Sequence, residues 1–112
     1  MALRVPPREL VDHWRPHILE FILRLIQVAD GISALTSFYR TEAQNAAVNG
    51  SPRSQHLIGT AMDVIPRGDF GVFAARARAA GLVAVNEVDH VHLQLFDAGA
   101  PRPPGLESGF SV

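Results

Sequence analysis

The run Ser54-Gln55-His56-Leu57-Ile58-Gly59-Thr60-Ala61-Met62-Asp63, followed downstream by Asp89-His90-Val91-His92, concentrates the chemistry of this chain. On a helix, residues seven apart lie ~10 Å from one another along the axis, so His56 and Asp63 meet only if the chain between them turns or extends. Leu57, Gly59, Ala61 and Asp63 alternate with Ile58, Thr60, Met62 and Val64, which predicts a strand entered from a loop. His56 then comes from the loop and Asp63 from the strand. An imidazole, a carboxylate and a second imidazole from the downstream run are borderline donors that Zn²⁺ accepts. Three protein ligands leave one coordination position open for water.

Outward from this run, the elements follow from local signals. Pro6-Pro7 opens a short helical segment to Trp14, and Pro16 suits the first turn of a longer helix that Asp30-Gly31 ends. In that helix His17, Glu20, Arg24 and Gln27 form one polar stripe on an otherwise apolar stretch, the pattern of a core helix. A membrane span would need ~20 predominantly apolar residues. Residues 32–38 alternate as a strand, Thr41-Glu42-Ala43-Gln44 is a capping box, Asn49-Gly50 stops the short helix it starts, and Ser51-Pro52-Arg53 is a loop delivering His56. After the turn Pro66-Arg67-Gly68, Asp69 caps a helix whose Phe70, Phe73, Ala74 and Ala77 share a face, and Gly81 terminates it. Residues 82–85 and 91–95 read as two further strands. The order predicts an α+β fold, a small, largely antiparallel sheet flanked by helices, in one domain over residues 1–96 with a Pro/Gly-rich tail over 97–112.

With 112 residues the chain is the size of one domain. A net charge of −1, one Trp and one Tyr provide no basic, aromatic stripe, so nucleic acid is not an expected partner. A monomer is expected. The absence of Cys rules out disulfides and thiolate ligands. Met1 to Pro7 lacks the apolar segment of a secretory signal peptide.

Ser54-x-His56-x-x-Gly59-x-Ala61-x-Asp63, preceded by Thr36-Ser37-x-x-Arg40-Thr41 and followed by Asp89-x-x-His92-x-Gln94, resembles the M15 zinc peptidases that cut peptidoglycan stem peptides. The resemblance spans residues 30–96 and is nearest to the compact phage and prophage branch. It implies a Hedgehog/DD-peptidase-like scaffold, Zn²⁺ on His56, Asp63 and His92, Asp89 as general base, Arg40 facing the scissile carbonyl, and Ser54 contacting the bound peptide. Glu87-x-x-His90 and Asp89-x-x-His92 are overlapping copies of one acid-x-x-His pattern. The resemblance favours the second, because His92-Leu93-Gln94 continues as the family does. The implied reaction is endopeptidase cleavage of the L-Ala–D-Glu bond. The alternatives are D-Ala-D-Ala carboxypeptidase activity and a non-catalytic zinc domain in which His90 closes the site. On this reading the protein is made in the cytoplasm and reaches the wall after release or delivery, from a virion or within the host periplasm.

The other polar residues have structural readings. His13 and His17 are surface residues separated by Pro16, His90 orients a metal ligand, Glu42 and Gln44 cap a helix, and Tyr39 packs.

Overall fold

Two prolines set how the chain begins. The computed structural model describes residues 3–97. Helix α1 (Arg8–Ile26) starts directly after Pro7 and is kinked at Trp14, whose φ of −107° and ψ of 15° leave the helical region. Pro16 has no N–H to return to the carbonyl four residues back, so the expected boundary between a short and a long helical segment survives as this kink.

The remaining elements are β1 (Ile32–Ser37), α2 (Glu42–Ala47), β2 (Ala61–Pro66), α3 (Phe70–Ala79), β3 (Val83–Asn86) and β4 (Val91–Gln94), with 3₁₀ turns at Ala29–Gly31 and Gln55–Ile58. The strands form one antiparallel sheet in the order β1-β2-β4-β3. The α+β expectation is therefore met. The tail expected over 97–112 lies outside the described residues from position 98 on.

One side of the sheet is apolar. Met62 and Val64 of β2, Val91 and Leu93 of β4, and Ala84 of β3 join Phe21, Leu25 and Val28 from the first helical region and Phe73, Ala74 and Ala77 of α3 in the main core. Period-two alternation then sends Asp63 and His92 to the opposite face, and they are direct cross-strand neighbours in the β2–β4 register. A second cluster of Leu10, Trp14 and Ile58, with Ile18, Tyr39 and Phe96 against it, ties the start of α1 to the turn that carries His56.

Three expectations need correction. The strand begins at Ala61, not Leu57, because Gln55–Ile58 wind into a 3₁₀ turn that Gly59 closes at φ +75°. Every residue from Gln55 to Val64 is buried, so the turn carries no polar alternation to distinguish it from a strand. Helix α1 ends at Ile26, with a separate 3₁₀ turn before β1. It is also core on one side only: Leu19, Leu23 and Ile26 are each more than half exposed.

Candidate metal centre

The site begins with a short hydrogen-bonded frame. Thr41 caps α2 by accepting from the Gln44 N–H, and the Gln44 side chain reaches back to the Thr41 N–H. This capping box fixes the chain just after Arg40, whose backbone N–H donates to the His56 carbonyl at 3.1 Å. His56 is set by its own turn: the Ser54 hydroxyl accepts from the His56 N–H at 3.2 Å. Its ring Nδ1 lies 2.6 Å from the Phe38 carbonyl oxygen. A carbonyl only accepts, so Nδ1 carries the hydrogen and, in the neutral ring, Nε2 presents a lone pair. That Nε2 is buried, has no hydrogen-bond partner among the described residues, and lies 3.4 Å from Asp63 Oδ2.

Around Asp63 the basic groups converge. Its Oδ1 is 3.0 Å from His92 Nδ1 and 3.6 Å from His90 Nε2, while Arg40 Nη2 donates to Oδ2 at 3.2 Å. Burial alone would raise the pKa of Asp63. The His56 and His92 rings beside it outweigh that and hold the carboxyl well below its usual range. Burial would lower the pKa of His92. Its bonds to Asp63 and to Gln94 raise it above the ordinary histidine value instead.

His56, Asp63 and His92 each offer a donor atom, and these atoms all lie within 4.8 Å of one another. Of the residues singled out from the sequence, the fold therefore brings together His56, Asp63, His92 and Arg40. Ser54 holds the His56 turn and also lines a groove of about 370 Å³ that includes Arg53, His92 and Gln94. Asp89 points outward: its side chain is 86% exposed, and its Oδ1 is 2.7 Å from His90 Nδ1. Glu87 sits in the same turn, its backbone N–H donating to the His90 carbonyl at 2.9 Å. His17 is not a bare surface residue, since its ring lies 5.5 Å from Trp14 and 5.2 Å from Phe96.

Gln55, beside His56, was not singled out from the sequence. It is 1% exposed. Its side-chain oxygen accepts from the Leu95 and Phe96 N–H groups and the Thr60 hydroxyl, and its nitrogen donates to the Phe96 carbonyl. It thereby joins the His56 turn to the end of the strand carrying His92. Its position next to a proposed ligand was the only available signal.

The sequence model of the Peptidase M15 family matches residues 22–94. The chain belongs to the M15 peptidase family. No curated protein and no solved structure matches it. M15 members are zinc peptidases, and the residues at this site suit that metal: two imidazoles and a carboxylate with converging donors, one of them a buried nitrogen left without a hydrogen-bond partner. The matched span contains the whole triad, Arg40 and Ser54, and leaves out α1 up to Phe21 and the segment before it. No helix among the described residues is long and apolar enough to cross a membrane.

Proposed function

We propose that this M15 peptidase is a zinc-dependent endopeptidase of peptidoglycan stem peptides, cutting the L-Ala–D-Glu bond. The observation that carries the reading is the convergence of the His56, Asp63 and His92 donor atoms within 4.8 Å. Support for an internal cut comes from the approaches: one groove of about 260 Å³ reaches Arg40, and a separate one of about 370 Å³ reaches His92 and Ser54. Two approaches suit a chain that passes through the site better than a terminus that docks in it.

His56, Asp63 and His92 would hold Zn²⁺, which supplies Lewis acidity and makes water a nucleophile near neutral pH. Asp89 takes the proton of the attacking water and delivers it to the departing amine. His90, 2.7 Å from Asp89 and 3.6 Å from Asp63, bridges from that carboxylate to the triad. Arg40, anchored on Asp63 and on Asn45 Oδ1, presents a fixed positive charge to the developing oxyanion. Ser54 contributes a hydroxyl at the mouth of the second groove and contacts the peptide there.

The test is to digest purified peptidoglycan with protein of measured zinc content and identify the new termini by mass spectrometry. New D-Glu amino termini are expected. Release of free D-Ala with the wall intact would replace this reading with a carboxypeptidase. No hydrolysis by zinc-replete protein would leave a zinc-binding domain.

A further inference from the structure

We infer that the groove beside Arg40 is a carboxylate subsite, and that Arg4 makes the enzyme prefer peptides with a free carboxylate next to the scissile amide. This inference rests on the peptidase reading of the same site.

Charge sets this groove apart. Its lining includes Arg4 and Arg40 with the polar side chains of Ser37 and Gln44, and among the described residues contains no Asp or Glu. Three other grooves that contain arginine also contain an acid: Arg67 and Arg76 lie with Asp30 and Asp69, Arg24 with Glu20 and Asp97, and Arg53 with Asp97. A guanidinium without a counter-charge in a concave surface attracts an anion, and its planar fork can bond a carboxylate through two parallel N–H groups.

The two arginines divide the task. Arg40 is committed to Asp63 and Asn45. The Arg4 guanidinium has no hydrogen bond or ion pair among the described residues. Its place in the groove is fixed by its backbone, since the Arg4 carbonyl accepts from the Tyr39 N–H at 3.2 Å. The side chain can therefore be changed without removing that contact. Arg4 also lies outside the span matched by the family model, residues 22–94. A γ-linked glutamate supplies the matching chemistry, because its α-carboxylate stays free while its side chain carries the amide.

The experiment compares two synthetic stem peptides that differ only at this group, one with the free α-carboxylate and one with the α-carboxamide. Zinc-loaded protein should show KM about fivefold lower for the acid, the size of an exposed ion pair. In Arg4→Ala that preference should fall to about one, Arg4→Lys should keep part of it, and the exposed Arg8→Ala should keep all of it. Equal KM values for the two peptides, or a preference unchanged in Arg4→Ala, would overturn the subsite. If neither peptide is cleaved, the peptidase reading falls by itself. The subsite is then decided by calorimetric affinity for the two peptides, with the same fivefold ratio expected and equal affinities overturning it.

Discussion

Two carboxylate–arginine pairs in this molecule look alike and have different meanings. Asp30 and Arg76 approach to 2.8 Å with 78% and 45% of their side chains exposed, whereas Asp63 and Arg40 stand at 3.2 Å with 9% and 21% exposed. The shorter pair is the lesser one. Both carboxyl groups have a lowered pKa, but for Asp30 the hydrogen bond from Arg76 is the main cause and burial is negligible. For Asp63 burial is the largest influence and acts upward, and two histidines overcome it. A buried carboxylate surrounded by Arg40, His56, His92 and His90 has more cationic and imidazole partners than an ion pair needs, and desolvating such charges costs several kcal/mol per ion. The excess marks a site, while Asp30 marks a surface tether between the turn before β1 and α3.

The comparison is most easily broken at the metal. Asp63→Asn keeps the size of the side chain and removes its charge, so we expect loss of stoichiometric zinc and of all measurable hydrolysis, with His56→Ala behaving the same way. Asp30→Asn should retain zinc and activity, as should His13→Ala. Metal analysis of the purified variants decides it, and a full equivalent of zinc in Asp63→Asn would end the distinction.

Next in size are effects on rate with zinc retained. Asp89→Asn should lower kcat by ~10²–10⁴, the range for a general acid–base group. If the overlapping acid-x-x-His register is the operative one, Glu87→Gln takes that loss and Asp89→Asn stays near normal. Arg40→Ala should lower kcat by ~10²–10³, as for an oxyanion donor. Arg76→Ala, which removes the other arginine of the comparison, should leave kcat within twofold of the parent, an estimate of roughly no effect for an exposed pair. Single-turnover kinetics on zinc-replete protein separates these outcomes.

The parts legible in the sequence were those fixed by neighbours in the chain. Thr41 and Gln44 cap each other across three residues, and Asp69 accepts from the Val72 N–H. Such bonds require only the residues that announce them. His56 and Asp63 were legible because their spacing and residue types limit the geometry that joins them. The His56 turn was not, since complete burial from Gln55 to Val64 removes the alternation by which strands are recognised. Gln55 was hidden for another reason. Its partners Leu95 and Phe96 lie 40 and 41 positions away, and nothing local shows that two backbone N–H groups will need its oxygen. Asp89 was legible as an acid, but its alliance with His90 depends on the turn before β4.

Gln55 therefore provides a third, intermediate test. Gln55→Leu preserves bulk and strands buried donors, each worth ~1–3 kcal/mol, so a loss of about 2–4 kcal/mol in urea unfolding is expected. If it also positions His56 relative to His92, zinc affinity should fall ~10–100-fold, as when a group supporting a metal ligand is removed. Stability lost with zinc affinity unchanged would make Gln55 a fold residue and leave the triad set by its own strand pairing.

The smallest effect concerns Asp30, and its sign follows from the direction of its pKa. The folded-state value lies below the ordinary 3.8, so the pair stabilises the protein above that pH, and the contribution is lost as pH falls through the folded-state value. Asp30→Asn should therefore unfold at slightly lower urea than the parent at pH 7. The gap should narrow below about pH 4 and close once the Asp30 carboxyl is neutral in both the folded and the unfolded state. Because the Debye length shrinks to ~3 Å at 1 M salt, high salt should close the gap at pH 7 as well. Asp63→Asn, measured in chelator-treated protein so that zinc plays no part, should keep most of its penalty in the same salt, since buried partners are screened far less. If salt erased both penalties equally, Asp63 would be as solvated in function as Asp30, and the contrast between a site and a tether would fail on its own physical ground.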